Sequence, residues 1–184
     1  MPPRIFLIGP GGVGKTSSGR ELAALLGYAF VDLDQAFCDR IGPIDAFLRT
    51  EGYERYIEAN AALFDALCRS DDGDVVMPLS SGFLATHIRP DLVEHNRQAV
   101  RRSGVSVLLL PSLDIDAAAE IVVERQLRRG FGLERERELE KFRARFPAYL
   151  GLGDLRVVST QPPAEIAAEI AALLRGPGSV VGLA

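Results

Sequence analysis

Eight consecutive residues, Gly9-Pro10-Gly11-Gly12-Val13-Gly14-Lys15-Thr16, match the pattern G-x-x-x-x-G-K-[ST] at every fixed position. Glycines at this spacing let successive backbone N–H groups turn inward around one set of oxygens, because no Cβ atoms stand in the way. A helix that follows directs its positive end at the same anion. Lys15 is then placed to bridge the β- and γ-phosphates of a nucleoside triphosphate, and the Thr16 hydroxyl to bind Mg2+. A second cluster, Val31-Asp32-Leu33-Asp34, puts two carboxylates at the carboxyl end of a predicted strand beside the first. In an open α/β sheet that crevice is where ligands sit. If the chain bends there, one carboxylate serves the metal and the other a substrate hydroxyl; the alternative is a pair of helix N-caps.

The elements that must position these groups are legible as hydrophobic patterns. Ile5-Phe6-Leu7-Ile8 is a continuous apolar run ending at glycine, the mark of a strand buried on both faces. Phe30-Val31, Val75-Val76-Met77 and Val105 to Leu110 look similar, with a weaker run at Leu155-Arg156-Val157-Val158. Between them lie helical stripes: Leu22, Leu25 and Leu26; Tyr56, Leu63 and Leu67; Ile121, Val122 and Leu127; Ile166, Ile170, Leu173 and Leu174. The alternation predicts an α/β sandwich around a mainly parallel sheet with right-handed crossovers. Residues 34 to 70 hold at least two helices between consecutive strands, and residues 128 to 145 are dense in Arg and Glu. Pro78 falls at a strand end, where a missing N–H is tolerable. The tail from Gly176-Pro177-Gly178 onward reads as a frayed end.

Composition narrows the function classes. Apolar residues make up 47% of the 184 and charged residues 25%, which excludes a mainly disordered chain. A net charge of −4 argues against general binding to a phosphate backbone, so no nucleic-acid partner is expected. No run approaches the roughly 18 apolar residues of a membrane span. Met-Pro-Pro-Arg leads into no signal-peptide core, so a cytoplasmic protein without a membrane partner is expected. Cys38 and Cys68 form no metal framework by themselves and read as buried thiols. His87 and His95 read as surface or capping residues. A short chain with its phosphate loop near the start favours a small-molecule kinase over a switch or motor.

The phosphate loop, the helix end Leu26-Gly27 and Phe30-Val31-Asp32-Leu33-Asp34 resemble shikimate kinases. Glu51-Gly52-Tyr53-Glu54-Arg55-Tyr56 is similar to that family's Glu-Gly-Glu-x-x-Phe, and Arg145-Phe146-Pro147-Ala148-Tyr149 to its Arg-x-Pro-x-Tyr. The resemblance covers most of the chain in the correct order. It implies a nucleoside-monophosphate-kinase-like three-layer sandwich, with a five-stranded parallel sheet and helices on both faces. It implies one kinase domain over 1–184, with a substrate-binding segment at about 34–70 and a lid at about 125–142. By the same resemblance ATP lies against Gly11, Gly12, Val13, Gly14, Lys15, Thr16, Ser17 and Arg125, and Mg2+ on Thr16 and Asp32. Catalytic roles fall to Lys15, to Asp34, which orients or deprotonates the acceptor hydroxyl, and to Arg128 and Arg129 in the lid. The acceptor is expected at Asp34, Ile57, Ser81, Gly82 and Arg145, in a monomer or weak dimer. Phosphoryl transfer needs positioned reactants, neutralised charge and excluded water, and an arginine-bearing lid supplies the last two.

Two departures fall in the acceptor site. After the aromatic at Tyr56 the family has an arginine that clamps the substrate carboxylate and, three residues on, a glutamate that orients it; this chain has Ile57 and Asn60. Leu79-Ser80-Ser81-Gly82 stands where the family has three glycines. A charge-assisted hydrogen bond contributes about 1.5–3 kcal/mol, so loss of the clamp predicts a ten- to hundredfold weaker hold on a carboxylate. Shikimate remains the best-named acceptor. A different polyol, cyclitol or amino-alcohol is the first alternative, and a kinase fold kept only as a nucleotide-binding module the second.

Overall fold

The computed structural model describes residues 2–70, 73–128 and 132–176. The first half runs β1 (Arg4–Ile8), α1 (Lys15–Leu26), β2 (Ala29–Phe30), α2 (Leu33–Arg40), α3 (Ile44–Thr50), α4 (Gly52–Ser70) and β3 (Val75–Pro78). The second runs α5 (Pro90–Ser103), β4 (Val105–Leu110), α6 (Ile115–Leu127), α7 (Arg135–Leu150), β5 (Leu155–Val158) and α8 (Pro163–Arg175). The strands form one parallel sheet in the order β2-β3-β1-β4-β5. β1, β3 and β4 occupy the middle and are buried on both faces, as their unbroken apolar runs require.

Helices cover both faces. On one side Leu22 and Ala23 of α1 pack with Ile166, Ala167, Ile170 and Ala171 of α8 against Ile5, Leu7, Val107 and Leu109. On the other, α2, α4, α5, α6 and α7 bury Phe37, Phe64, Val100, Val122 and Phe146 against Phe6, Met77 and Leu108. Among the described residues no helix is long and apolar enough to cross a membrane.

Several expectations need correction. β2 does not lie beside β1, because β3 pairs with both and separates them. β2 is also short. Val31 N still bonds the Val76 carbonyl at 3.1 Å, but the chain then turns into α2, so Asp34 sits in a helix's first turn rather than on a bent strand. Leu25 (52% exposed) and Leu173 (41%) lie outside the core, since α1 and α8 approach through their alanines. Cys38 is exposed, and only Cys68 is partly buried, which pushes its thiol up. His95 is exposed as expected but has a carboxylate partner, Asp65, at 3.2 Å. Arg129 and the tail from Pro177 lie outside the described residues.

Candidate active site

The phosphate loop leaves β1 at Ile8 and enters α1 at Lys15, with Gly14 as the helix N-cap at φ 104°. No other residue type takes that dihedral without strain, and it turns the positive end of α1 toward the loop. Gly12 has φ 81°, and a Cβ there would stand 2.8 Å from the Val122 carbonyl, so α6 leaves no room for a side chain. Lys15 Nζ donates to the carbonyls of Gly9 at 2.8 Å and Pro10 at 2.9 Å, which folds the ammonium back across the loop. Val13 is buried in the core shared by α1 and α8, leaving its backbone for a ligand, whereas Thr16 and Ser17 are exposed.

Asp32 is a helix N-cap, and its second oxygen faces the phosphate loop. Its Oδ1 caps α2 by accepting from the backbone N–H of Asp34 at 3.0 Å and of Gln35 at 3.2 Å. Its Oδ2 accepts from Thr16 Oγ1 at 2.7 Å, tying the cap to the phosphate loop. One cleft wall thus carries Gly11, Gly14, Lys15, Thr16, Asp32 and Asp34.

Asp34 also lines a second cavity. There it faces Ile44 and Leu48 of α3, Tyr53 and Tyr56 of α4, the Ser80-Ser81-Gly82 turn after β3, and Lys141 and Arg145 of α7. Arg145 Nη2 donates to Tyr53 Oη at 2.8 Å. A Cβ on Gly82 would collide with the Tyr53 hydroxyl and come within 3.2 Å of Arg145 Nη2, so glycine here is set by those two side chains. The Tyr149 hydroxyl donates to the Ser81 carbonyl and pins the turn to α7. Asp34 Oδ1 accepts from Ser80 Oγ at 2.5 Å, and Tyr56 Oη lies 3.5 Å from the same oxygen. Burial, with Asp34 alongside, keeps the Tyr56 phenol neutral well above the ordinary tyrosine range. Burial does the same to Tyr149, against the opposing pull of Arg145.

Asp34, Ser81, Gly82 and Arg145 are therefore brought together around one cavity. Ile57 is 6% exposed, and its neighbour Tyr56 takes the place on the cavity wall. On the α6 side Gln126 faces the loop, where a Cβ on Gly11 would collide with its amide. Arg125 is half-buried one residue earlier, and Arg128 is exposed at the helix C-cap. Arg143 pairs with Asp116 at 2.8 Å and Arg135 with Glu124, so these α7 charges tie α7 to α6. Lys141 pairs with the buried Glu138. Lys141 and Gln126 escaped the sequence reading, and Tyr53 and Tyr149 entered it only as motif positions without a role at the site. Tyr53 and Tyr56 at i,i+3 and Lys141 and Arg145 at i,i+4 were the available signals, since such spacings share a helix face.

The strand order, the phosphate loop at the end of β1 and the carboxylates beside it in the cleft define a phosphate-loop kinase fold. The shikimate kinase family model matches residues 11–175, and the chain belongs to that family. It is 30% identical to shikimate kinase 2 of Dickeya chrysanthemi over 185 residues, covering 97% of this chain and 100% of that one. It is 41% identical over 93 residues to the shikimate kinase of Halorhodospira halophila, where the match covers 50% of this chain and about half, 51%, of the relative. The structure of the Acinetobacter baumannii shikimate kinase in complex with shikimate superposes with a TM-score of 0.79 at 24% identity. That match covers 96% of this chain and 94% of the other, and it supports the fold.

Proposed function

We propose that this chain is an ATP-dependent kinase that transfers the γ-phosphate to a hydroxyl of a small metabolite carrying an acid group, with shikimate the named candidate. The observation that carries this reading is Asp34, the one carboxylate among the described residues that lines both the phosphate cleft and the second cavity. A hydroxyl held there lies between a proton acceptor and the phosphate loop. Asp34 takes the hydroxyl proton as the acceptor oxygen bonds to the γ-phosphorus and the bond to ADP breaks. Lys15 neutralises charge on the transferring group.

The residues present fit a magnesium ion: a hydroxyl and a carboxylate oxygen, Thr16 Oγ1 and Asp32 Oδ2, already lie 2.7 Å apart at the cleft. Oxygen donors of this kind suit Mg2+, and Thr16 and Asp32 would hold it, the second through water. Held there, the ion would supply charge screening between the phosphate and the incoming oxygen.

Arg145 and Lys141 give the second cavity a cationic side on α7, while Ile44 and Leu48 give it an apolar one. That combination suits a hydroxylated acid with a hydrocarbon face. The family's clamp on α4 is absent at Ile57, which favours the second reading, an acceptor of different charge such as a polyol or amino-alcohol. The end of α6 and the start of α7 act as the lid that excludes water. ADP release measured over a panel of hydroxylated metabolites, shikimate included, tests the whole reading. Turnover with shikimate or a related acid supports it, and turnover only with uncharged acceptors selects the second reading. Nucleotide binding without any transfer leaves a binding module.

A further inference from the structure

The phosphate side and the acceptor side meet at Asp34, and the group that holds this carboxylate comes from neither the loop nor the lid. Ser80 Oγ lies 2.5 Å from Asp34 Oδ1, and Asn60 Nδ2 lies 2.9 Å from the same Oγ. Asn60 is 2% exposed and Ser80 7%, so water does not compete for these bonds. The proton positions follow from the chemistry. An ionised carboxylate only accepts, so the single Ser80 hydroxyl proton points at Asp34. Ser80 Oγ then accepts from Asn60, which sets the amide with its NH2 group toward the serine. The same NH2 group reaches Tyr56 Oη at 3.4 Å, and Asn60 Oδ1 has no partner among the described residues. A flipped amide would set two acceptors against one serine proton, so the unpaired Oδ1 is the better of the two arrangements.

One directed chain thus runs from the interior of α4 through the turn after β3 to Asp34. It occupies Oδ1 and leaves Oδ2 without a hydrogen-bond partner among the described residues. Ser80 and Asn60 are also among the positions where this chain departs from the family, a serine for a glycine and an asparagine for the glutamate. The two departures touch each other and form a single feature.

We propose that Ser80, oriented by Asn60, is a positioning residue for phosphoryl transfer, locking the Asp34 carboxylate so that Oδ2 alone faces the acceptor hydroxyl. This rests on the reading of Asp34 given above. The test compares wild type, Ser80→Ala, Asp34→Asn and the double variant, with ATP as donor and shikimate as acceptor. Ser80→Ala is expected to lower kcat about tenfold, the scale of one hydrogen bond to a charged group. KM for shikimate and nucleotide affinity should hold within a factor of about three, because Ser80, although it lines the cavity, is 7% exposed and has its hydroxyl proton committed to Asp34. Ser80→Thr keeps the hydroxyl and should return kcat to near the wild-type value. In the Asp34→Asn background, Ser80→Ala should cost nothing more.

Unchanged kcat in Ser80→Ala, an equal loss in both backgrounds, or a loss that Thr does not rescue overturns the proposal. If Asp34→Asn loses transfer while Ser80→Ala keeps it, this inference alone falls. If Asp34→Asn keeps full transfer, or the wild type transfers phosphate neither to shikimate nor to other hydroxylated acids, the reading beneath it falls as well.

Discussion

The phosphate loop and the second cavity meet at Asp34 yet are built by different means. The loop is backbone: a contiguous stretch whose glycine dihedrals and N–H directions create the anion site, with α1 behind it. The cavity is side chain: α3, α4, the turn after β3 and α7 each contribute a few groups that meet only through packing. A backbone site admits little variation, because a Cβ at Gly12 has nowhere to go. A side-chain site is rewritten one compatible set at a time. Here Asn60 and Ser80 form such a set, and Lys141 stands beside Arg145 as another.

The contrast predicts the largest effect at the loop. Lys15→Ala should lower transfer by about 10³ or more, the scale of removing a cation from the transferring phosphoryl group. Circular dichroism and melting should show an intact fold. Retained activity would break the account of the loop altogether.

At the shared carboxylate, Asp34→Asn should lower transfer by roughly 10² while nucleotide affinity barely changes. Asp32→Asn separates the two roles of its neighbour. Asparagine is as good an N-cap as aspartate, so stability should hold, and the loss should appear as weaker Mg2+ activation. Titrations of rate against Mg2+ for the two variants discriminate them. Identical behaviour would mean that the two carboxylates share one task.

On the acceptor side, Arg145→Leu should raise KM for an acidic acceptor ten- to a hundredfold, from about 1.5–3 kcal/mol for a charge-assisted bond. Lys141→Ala should do less, because its charge is already shared with Glu138. Neither should move the KM for ATP. Gly82→Ala, which forces Tyr53 and Arg145 aside, should also raise only the acceptor KM. A matching rise for ATP in any of the three would erase the division between the two regions.

The smallest effect concerns stability at high pH. Burial holds Tyr56 and Tyr149 protonated in the fold, whereas in the unfolded chain they ionise near pH 10.0. Above that pH the unfolded state loses protons that the folded state keeps, so stability should fall by about 1.4 kcal/mol per pH unit for each phenol. Melting temperatures between about pH 9 and about pH 11.5 should show the decline, and a Tyr56→Phe, Tyr149→Phe variant a shallower one.

The amino-acid sequence alone determined the phosphate loop, the alternation of strand and helix, the parallel sheet and the family. Each of these is written in contiguous residues: a dipeptide such as Gly14-Lys15 carries its own dihedrals, and an apolar run such as Ile5–Ile8 its own burial. It also marked Ile57, Asn60 and Ser80 as departures, because a motif exposes its own exceptions. What replaced the lost groups was decided only in three dimensions. β3 inserts between β1 and β2, so Asp34 reaches the cleft from the first turn of α2 rather than from a neighbouring strand. Asn60 and Ser80 lie 20 residues apart, and Arg145 and Tyr53 lie 92 apart. No local pattern encodes such a pair. Each hydrogen bond forms because α4 and α7 bury their apolar faces on the same side of the sheet, and that burial sets which polar groups are left to meet.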